Sequence, residues 1–242
     1  MGGCSFTFTL DEQIVALEAE YERLLAFPED EFIEIIRDVG FSCECCGRCC
    51  TRDFNGHVFL LEEDTDSVRS FAPDVVIPAP DFDACDQQGH FYVMGYALKT
   101  KPDGSCIFLS DGRRCTIYDR RFAICRIYPY MLHREADETG TVDWRQISGL
   151  NEHGCYNNPI DDAECLRIAR ETRAYEAAFL DQAIRFRKAL RDLFAREGLR
   201  HVQRTYDLGM RDFQKGVEVE VRVFHRGRFE PHRVTRSIYD GL

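Results

Sequence analysis

The amino-acid sequence predicts an α+β fold. In that fold a loop-rich cysteine core with short strands is enclosed by N-terminal helices and one long C-terminal helix, with a C-terminal hairpin added. Three observations carry this expectation. Apolar residues recur at a helical period over 161–197, apolar and polar residues alternate over 217–234, and the stretch 41–155 holds ten of the twelve cysteines. At 242 residues the chain can bury a core without disulfides, and 44% hydrophobic with 30% charged residues is ordinary for a globular protein.

The elements follow in order. Residues 11–26 place Ile14, Leu17, Tyr21, Leu24 and Leu25 on one helical stripe. Pro28 opens a second helix near 29–38, with Glu29, Asp30 and Glu31 in the first turn, where the helix dipole favours acids. Gly40 ends it. His57–Leu61 reads as a short strand, 63–71 as a short helix, and 72–83, with three prolines, as a loop. FYVMGYAL at 91–98 and CIFL at 106–109 read as strands separated by the turn KPDG. A helical turn is expected at 119–124 and a strand at 142–147. From 161 to 197, Leu166, Ala169, Thr172, Tyr175, Phe179, Ala183, Phe186, Leu190, Leu193 and Phe194 keep close to a 3.6 period, and Gly198 stops the helix. A further helix is expected near 199–213, then a hairpin around a turn at 225–228. The expected organisation is an N-terminal helical segment (1–40), a cysteine-cluster metal-binding domain (41–158), and a C-terminal part (159–242) packed on the same domain.

Charge is unevenly spread. The whole chain carries −11, residues 11–38 carry −8 and residues 183–236 carry +7. An acidic whole argues against general nucleic-acid binding through phosphates. The opposite signs suit two solvated faces that help the chain ends dock, while the basic part keeps a local anionic partner open. No run approaches the length and apolarity of a membrane span. The N-terminus lacks the basic and apolar regions of a secretory signal, so the expected location is cytoplasmic. In a reducing compartment, clustered cysteines bind metal or do redox chemistry more often than they form disulfides.

Four cysteines stand as Cys43-x2-Cys46-x2-Cys49-Cys50. Two-residue spacing lets a short loop fold consecutive thiolates around one centre, and Gly47 gives that loop backbone freedom. Cys106, Cys115, Cys125 and Cys155 bring the candidate metal ligands to eight. That suffices for two four-thiolate sites, or for a cluster plus a structural site. Neighbouring side chains in extended backbone point to opposite sides, so Cys49 and Cys50 are expected to diverge. Cys45 lies off the spacing, and Cys4, Cys85 and Cys165 read as inert. Arg113, Arg114, Arg120, Arg121, Arg126 and Arg134 stand around the second cysteine group. They can offset thiolate charge, hold an anionic ligand, or pair with the acidic N-terminal helices. Arg121 and Arg126 are the candidate cofactor-binding pair. His153, two residues from Cys155, is a substitute ligand. There is no HExxH, GxSxG or Walker loop, which excludes the familiar zincin, triad and P-loop enzymes.

The stretch FSCECCGRCC resembles the F-x-C-x-x-C-G-x-C-C signature of the YkgJ-like cysteine-cluster proteins, described as zinc- or iron-chelating. The run from Cys115 through Cys125 to Pro129 is similar to the family's C-x-I-Y-x-x-R-P-x-x-C-R-x-[FY]-P, with Phe122 in place of proline. The resemblance covers residues 41–155. Flagellin lysine methylases share the cysteine signature, and the resemblance to them implies an iron–sulfur cluster and methyl transfer. The expectation is an iron–sulfur protein, with a [4Fe–4S] cluster preferred and zinc as the alternative. Three roles stay open: an accessory or electron-transfer protein acting with a protein partner, a protein-modifying enzyme, and a zinc-stabilised interaction module.

Overall fold

A computed structural model describes residues 9–130 and 152–240. In chain order the helices are α1 (Leu10–Ala26), α2 (Glu29–Val39), α3 (Arg52–Asn55), α4 (Glu62–Phe71), α5 (Ala123–Ile127), α6 (Asp162–Glu197) and α7 (Gln203–Gln214). The strands are β1 (Phe59–Leu60), β2 (Val76–Pro78), β3 (Ala84–Cys85), β4 (Phe91–Val93), β5 (Tyr96–Leu98), β6 (Val219–His225) and β7 (Arg228–Val234). The fold is α+β, as the sequence predicts. The chain divides into two compact units. The first is Met1–Glu22, Thr51–Ile107 and Ala178–Leu242, and the second is Arg23–Cys50 and Phe108–Ala177.

The first unit holds both sheets. One has the order β1-β5-β2 and the other β3-β4-β6-β7. The expected strand 91–98 is two strands. It breaks at Met94-Gly95, so that β4 joins one sheet and β5 the other. At Gly95 an added Cβ would sit 2.8 Å from Nε2 of Gln182 and 3.1 Å from the Phe59 ring, so a larger residue would have to displace these side chains. The hairpin is present, and β6 also pairs in parallel with β4, Tyr92 facing Arg222. Its two-residue turn has Arg226 and Gly227 both at positive φ (48° and 76°), the backbone of a type I′ turn, whose twist suits the strands.

Beneath the larger sheet, Tyr92, Phe186, Leu190, Phe194 and Phe224 form a buried cluster. The α6 positions recur at helical spacing, which is why the period was legible. Glu62, only 3% exposed, is held by Arg185 at 2.9 Å and by the backbone N–H of Arg226 at 2.7 Å. The acids of α1 pair with α6, Lys188 with Glu18 at 2.6 Å and Arg191 with Asp11 at 3.0 Å.

Three further expectations change. Residues 72–83 are not simply a loop but contain β2, whose Pro78 is tolerated because β2 is an edge strand and needs no donor on its outer side. Cys106–Leu109 is not a strand. It makes isolated bridges at Thr100–Cys106 and Leu109–Cys115 between turns. The helix expected from 199 starts at Gln203, because His201 is taken by a bridge to Asp86. The strand expected at 142–147 lies outside the described residues. No helix among the described residues is long and apolar enough to cross a membrane.

In the second unit, α2 turns Phe32 and Ile36 onto Tyr130, Cys165, Ile168 and Ala169. Arg37 meets Asp162 at 2.9 Å and Arg170 meets Glu29 at 3.5 Å. Gly40 caps α2 in the left-handed conformation (φ 50°), donating its N–H to Ile36 O at 3.0 Å. This cap aims the chain directly into the cysteine run.

Candidate metal centre

The second unit gathers seven of the eight candidate cysteines: Cys43, Cys46, Cys49, Cys50, Cys115, Cys125 and Cys155. Cys106 belongs to the first unit, where it bridges to Thr100. None of the eleven described cysteines is in a disulfide, so no such bond staples the run.

The run starts from a fixed edge. Ser42 and Cys155 form an antiparallel bridge, with N–H to O distances of 2.8 and 3.0 Å, and Asn158 N–H reaches Gly40 O at 2.9 Å. Cys155 points its thiol at Glu44, donating to Oε1 at 2.8 Å, and this bond pushes its pKa up. Cys45, at φ 55°, turns its backbone N–H onto the sulfur of Cys43 at 3.3 Å. Such a bond favours the charged sulfur, whereas burial, the larger influence, raises the Cys43 pKa overall.

Cys49 and Cys50 do not diverge as extended backbone would require. Arg48–Cys50 is a 3₁₀ turn, in which successive side chains differ by about 120° rather than 180°. The two sulfurs stand 3.9 Å apart and share a hydrogen bond. Cys49 is pushed far up by that bond and by burial. Cys50, accepting the bond and facing the charge of Arg121, is held down at about 7. The pair therefore keeps one proton and offers one thiolate near neutrality.

The later cysteines come from the loop 108–116 and from α5. Leu109 bridges Cys115, and Ser110 N–H bonds Arg114 O at 2.9 Å. Phe122 caps α5 at φ −62°, a value that proline also adopts, so the backbone here is compatible with the proline of the family pattern. Electrostatic influence links the groups: Cys49 feels Cys43, Cys50 and Cys125, Cys115 feels Cys50 and Arg121, and Tyr128 feels Cys46 and Cys49. Burial raises the Cys115 thiol.

Arg121 is placed by its own surroundings. Its Nε donates to Tyr118 O at 3.2 Å and its guanidinium lies 3.9 Å from the Tyr118 ring centre. Arg126 acts through Arg121, donating to its carbonyl at 2.7 Å, and lies 3.8 Å from Glu171. Arg126 thus pairs with α6 rather than with the acidic α1 or α2. Arg113 donates to Cys46 O at 3.3 Å. His153 is bonded to the Tyr128 hydroxyl at 2.8 Å.

Among the described residues, no three histidine, cysteine, aspartate or glutamate side chains stand grouped at metal-ligating spacing. The donor chemistry fits a thiophilic metal all the same. A tetrahedral ion with metal–sulfur bonds of about 2.3 Å separates its sulfurs by about 3.8 Å, and Cys49 and Cys50 stand 3.9 Å apart. Arg121 supplies positive charge next to them. The spacing argument missed Cys45, whose contribution is a backbone N–H, and Glu44, whose partner is remote in sequence.

Residues 42–147 match the family model described as "CxxCxxCC: Putative zinc- or iron-chelating domain". No curated protein and no solved structure matches the chain significantly.

Proposed function

We propose that the second unit binds iron as an iron–sulfur centre, a reading supported by the match of residues 42–147 to a family model described as zinc- or iron-chelating. The protein then acts as an accessory or electron-transfer protein for a protein partner. The observation that supports this reading most is the electrostatic linkage of the thiols: Cys43, Cys50 and Cys115 each feel Arg121, and Cys49 feels Cys43, Cys50 and Cys125. With Cys46, these are more thiols than one four-coordinate ion uses. An iron–sulfur centre supplies one-electron redox chemistry, and nearby positive charge raises its potential. Arg121 would provide that charge, and Arg126 would hold Arg121 in place.

Zinc is the second reading, and one observation favours it. The 3.9 Å separation of Cys49 and Cys50 suits two ligands of one ion. A [4Fe–4S] cluster takes one cysteine per iron, so to ligate two of its irons the Cys49 and Cys50 sulfurs would have to move apart. Cys155, committed to Glu44, and Cys106, in the first unit, are the weakest members of the ligand set.

Anaerobically purified protein decides between the readings. Brown protein with iron and acid-labile sulfide is the expected result. Colourless protein with stoichiometric zinc alone would refute the iron–sulfur reading and leave the metal acting as a structural staple.

A further inference from the structure

In the first unit, well apart in sequence from the cysteine run, a cavity of about 700 Å³ opens between the last turns of α6 and the β6–β7 hairpin. Its size falls within the range of small-molecule sites. We propose that it binds a small organic anion, a carboxylate or phosphate on an apolar body, with Arg228 as the anchoring cation.

The walls argue for an amphiphilic ligand. Leu193 projects from α6 and Phe229 and Pro231 from β7, so one side is apolar. The charged side is mostly engaged already. Asp192 is paired with Arg191 at 3.0 Å, Glu197 with Arg196 at 3.3 Å, and Glu220 with Arg222 at 3.5 Å. Arg228 has no carboxylate within ion-pair distance among the described residues. It is the cation left for a ligand, and its planar fork matches a carboxylate or phosphate. Arg222 is held only loosely, with its second contact, the Tyr92 hydroxyl, at 3.4 Å.

Two of the lining residues, Glu220 and Arg222, are tied to a buried polar network. Asp86, fully buried, accepts from the backbone of Gln88 and His90, from the Tyr92 hydroxyl at 2.9 Å and from Nδ1 of His90 at 3.0 Å. Those bonds orient His90 so that Nε2 faces Glu220 at 3.6 Å. Glu220 is therefore held from two sides, by His90 and by Arg222, and does not compete for Arg228.

The test uses the full-length, metal-loaded protein and 8-anilinonaphthalene-1-sulfonate, an anionic aromatic probe with a fluorescence readout. Saturable binding is expected, weakened about tenfold in Arg228→Gln, as loss of one charge-assisted anchor implies. Cys155→Ser should bind like the wild type. Octanoate should displace the probe if the natural group is a carboxylate, and a phosphate monoester with an apolar tail if it is a phosphate; inorganic phosphate alone should be weak. Unsaturable binding, or equal affinity in Arg228→Gln with an unchanged melting temperature, would overturn the proposal. Failure of both amphiphilic competitors to displace the probe would overturn it as well.

Discussion

Gly40→Ala should damage the second unit well beyond the intrinsic cost of its conformation. Gly40 lies at φ 50°, and an added Cβ would sit 2.3 Å from Asn158 O and 2.7 Å from Asn158 N. Both are backbone atoms, so no side chain can swing aside. The left-handed conformation costs an alanine about 1 kcal/mol, and forcing the Asn158 backbone away adds about 1–3 kcal/mol. Gly198, at φ 64° with nothing within 4 Å, isolates the first contribution. At about 2–4 °C per kcal/mol for a chain of this size, Gly198→Ala should lower the melting temperature by roughly 2–4 °C and Gly40→Ala by roughly 4–16 °C. The displaced segment holds Ser42, at the start of the cysteine run, through the backbone bridge between residues 42 and 155, so metal content should fall in Gly40→Ala alone. Differential scanning calorimetry with metal analysis of the three proteins reads both quantities. Equal shifts in the two variants, with metal retained, would refute the reasoning that this cap positions the cysteine run.

Three other outcomes are expected. Burial raises the pKa of Asp86, but bonds from Tyr92, His90 and the backbone outweigh it and hold the carboxyl below its ordinary value. Its stabilisation is therefore present above the ordinary carboxylate range and is lost as pH falls below about 4 through the depressed value. Asp86→Asn should cost about 1–3 kcal/mol at neutral pH and flatten the acid limb of a urea-unfolding series; an unchanged limb would count against it. Chelation should raise hydrogen exchange at 43–50 and 108–130 while β6 and β7 stay protected, and uniform loss across the chain would contradict the division into units. Cys155→Ser should keep the metal, since its thiol is directed at Glu44; loss of metal would return Cys155 to the ligand set.

Periodic segments were legible from sequence because one physical signal dominates them. The α6 stripe and the β6–β7 alternation each bury a continuous apolar face, and the structure places both within a few residues of expectation. The N-terminus of α1 carries a local signal that the helical stripe alone did not use. Thr9 and Glu12 satisfy each other's N–H groups at 3.3 and 2.7 Å, a capping box spelled three residues apart. Strands of two or three residues, such as β1 and β3, carry no period and depend on partners far away in sequence. Cysteine spacing named the donors but not their directions. Whether Cys49 and Cys50 meet depends on a 3₁₀ turn closed by the bond from Cys50 N–H to Gly47 O at 3.1 Å. The tie between Glu44 and Cys155 follows from a bridge that joins residues 42 and 155, a relation that local patterning does not contain.

The central claim is that the run 43–50 and the pair Cys115 and Cys125 form one metal centre. Metal content of purified Cys46→Ser, Cys115→Ser and Cys125→Ser proteins tests it directly. The account predicts that all three lose metal relative to the wild type while keeping the first unit's strands intact by hydrogen exchange. Full metal in Cys115→Ser and Cys125→Ser, with complete loss in Cys46→Ser, would contradict it and make the later cysteines ordinary packing residues.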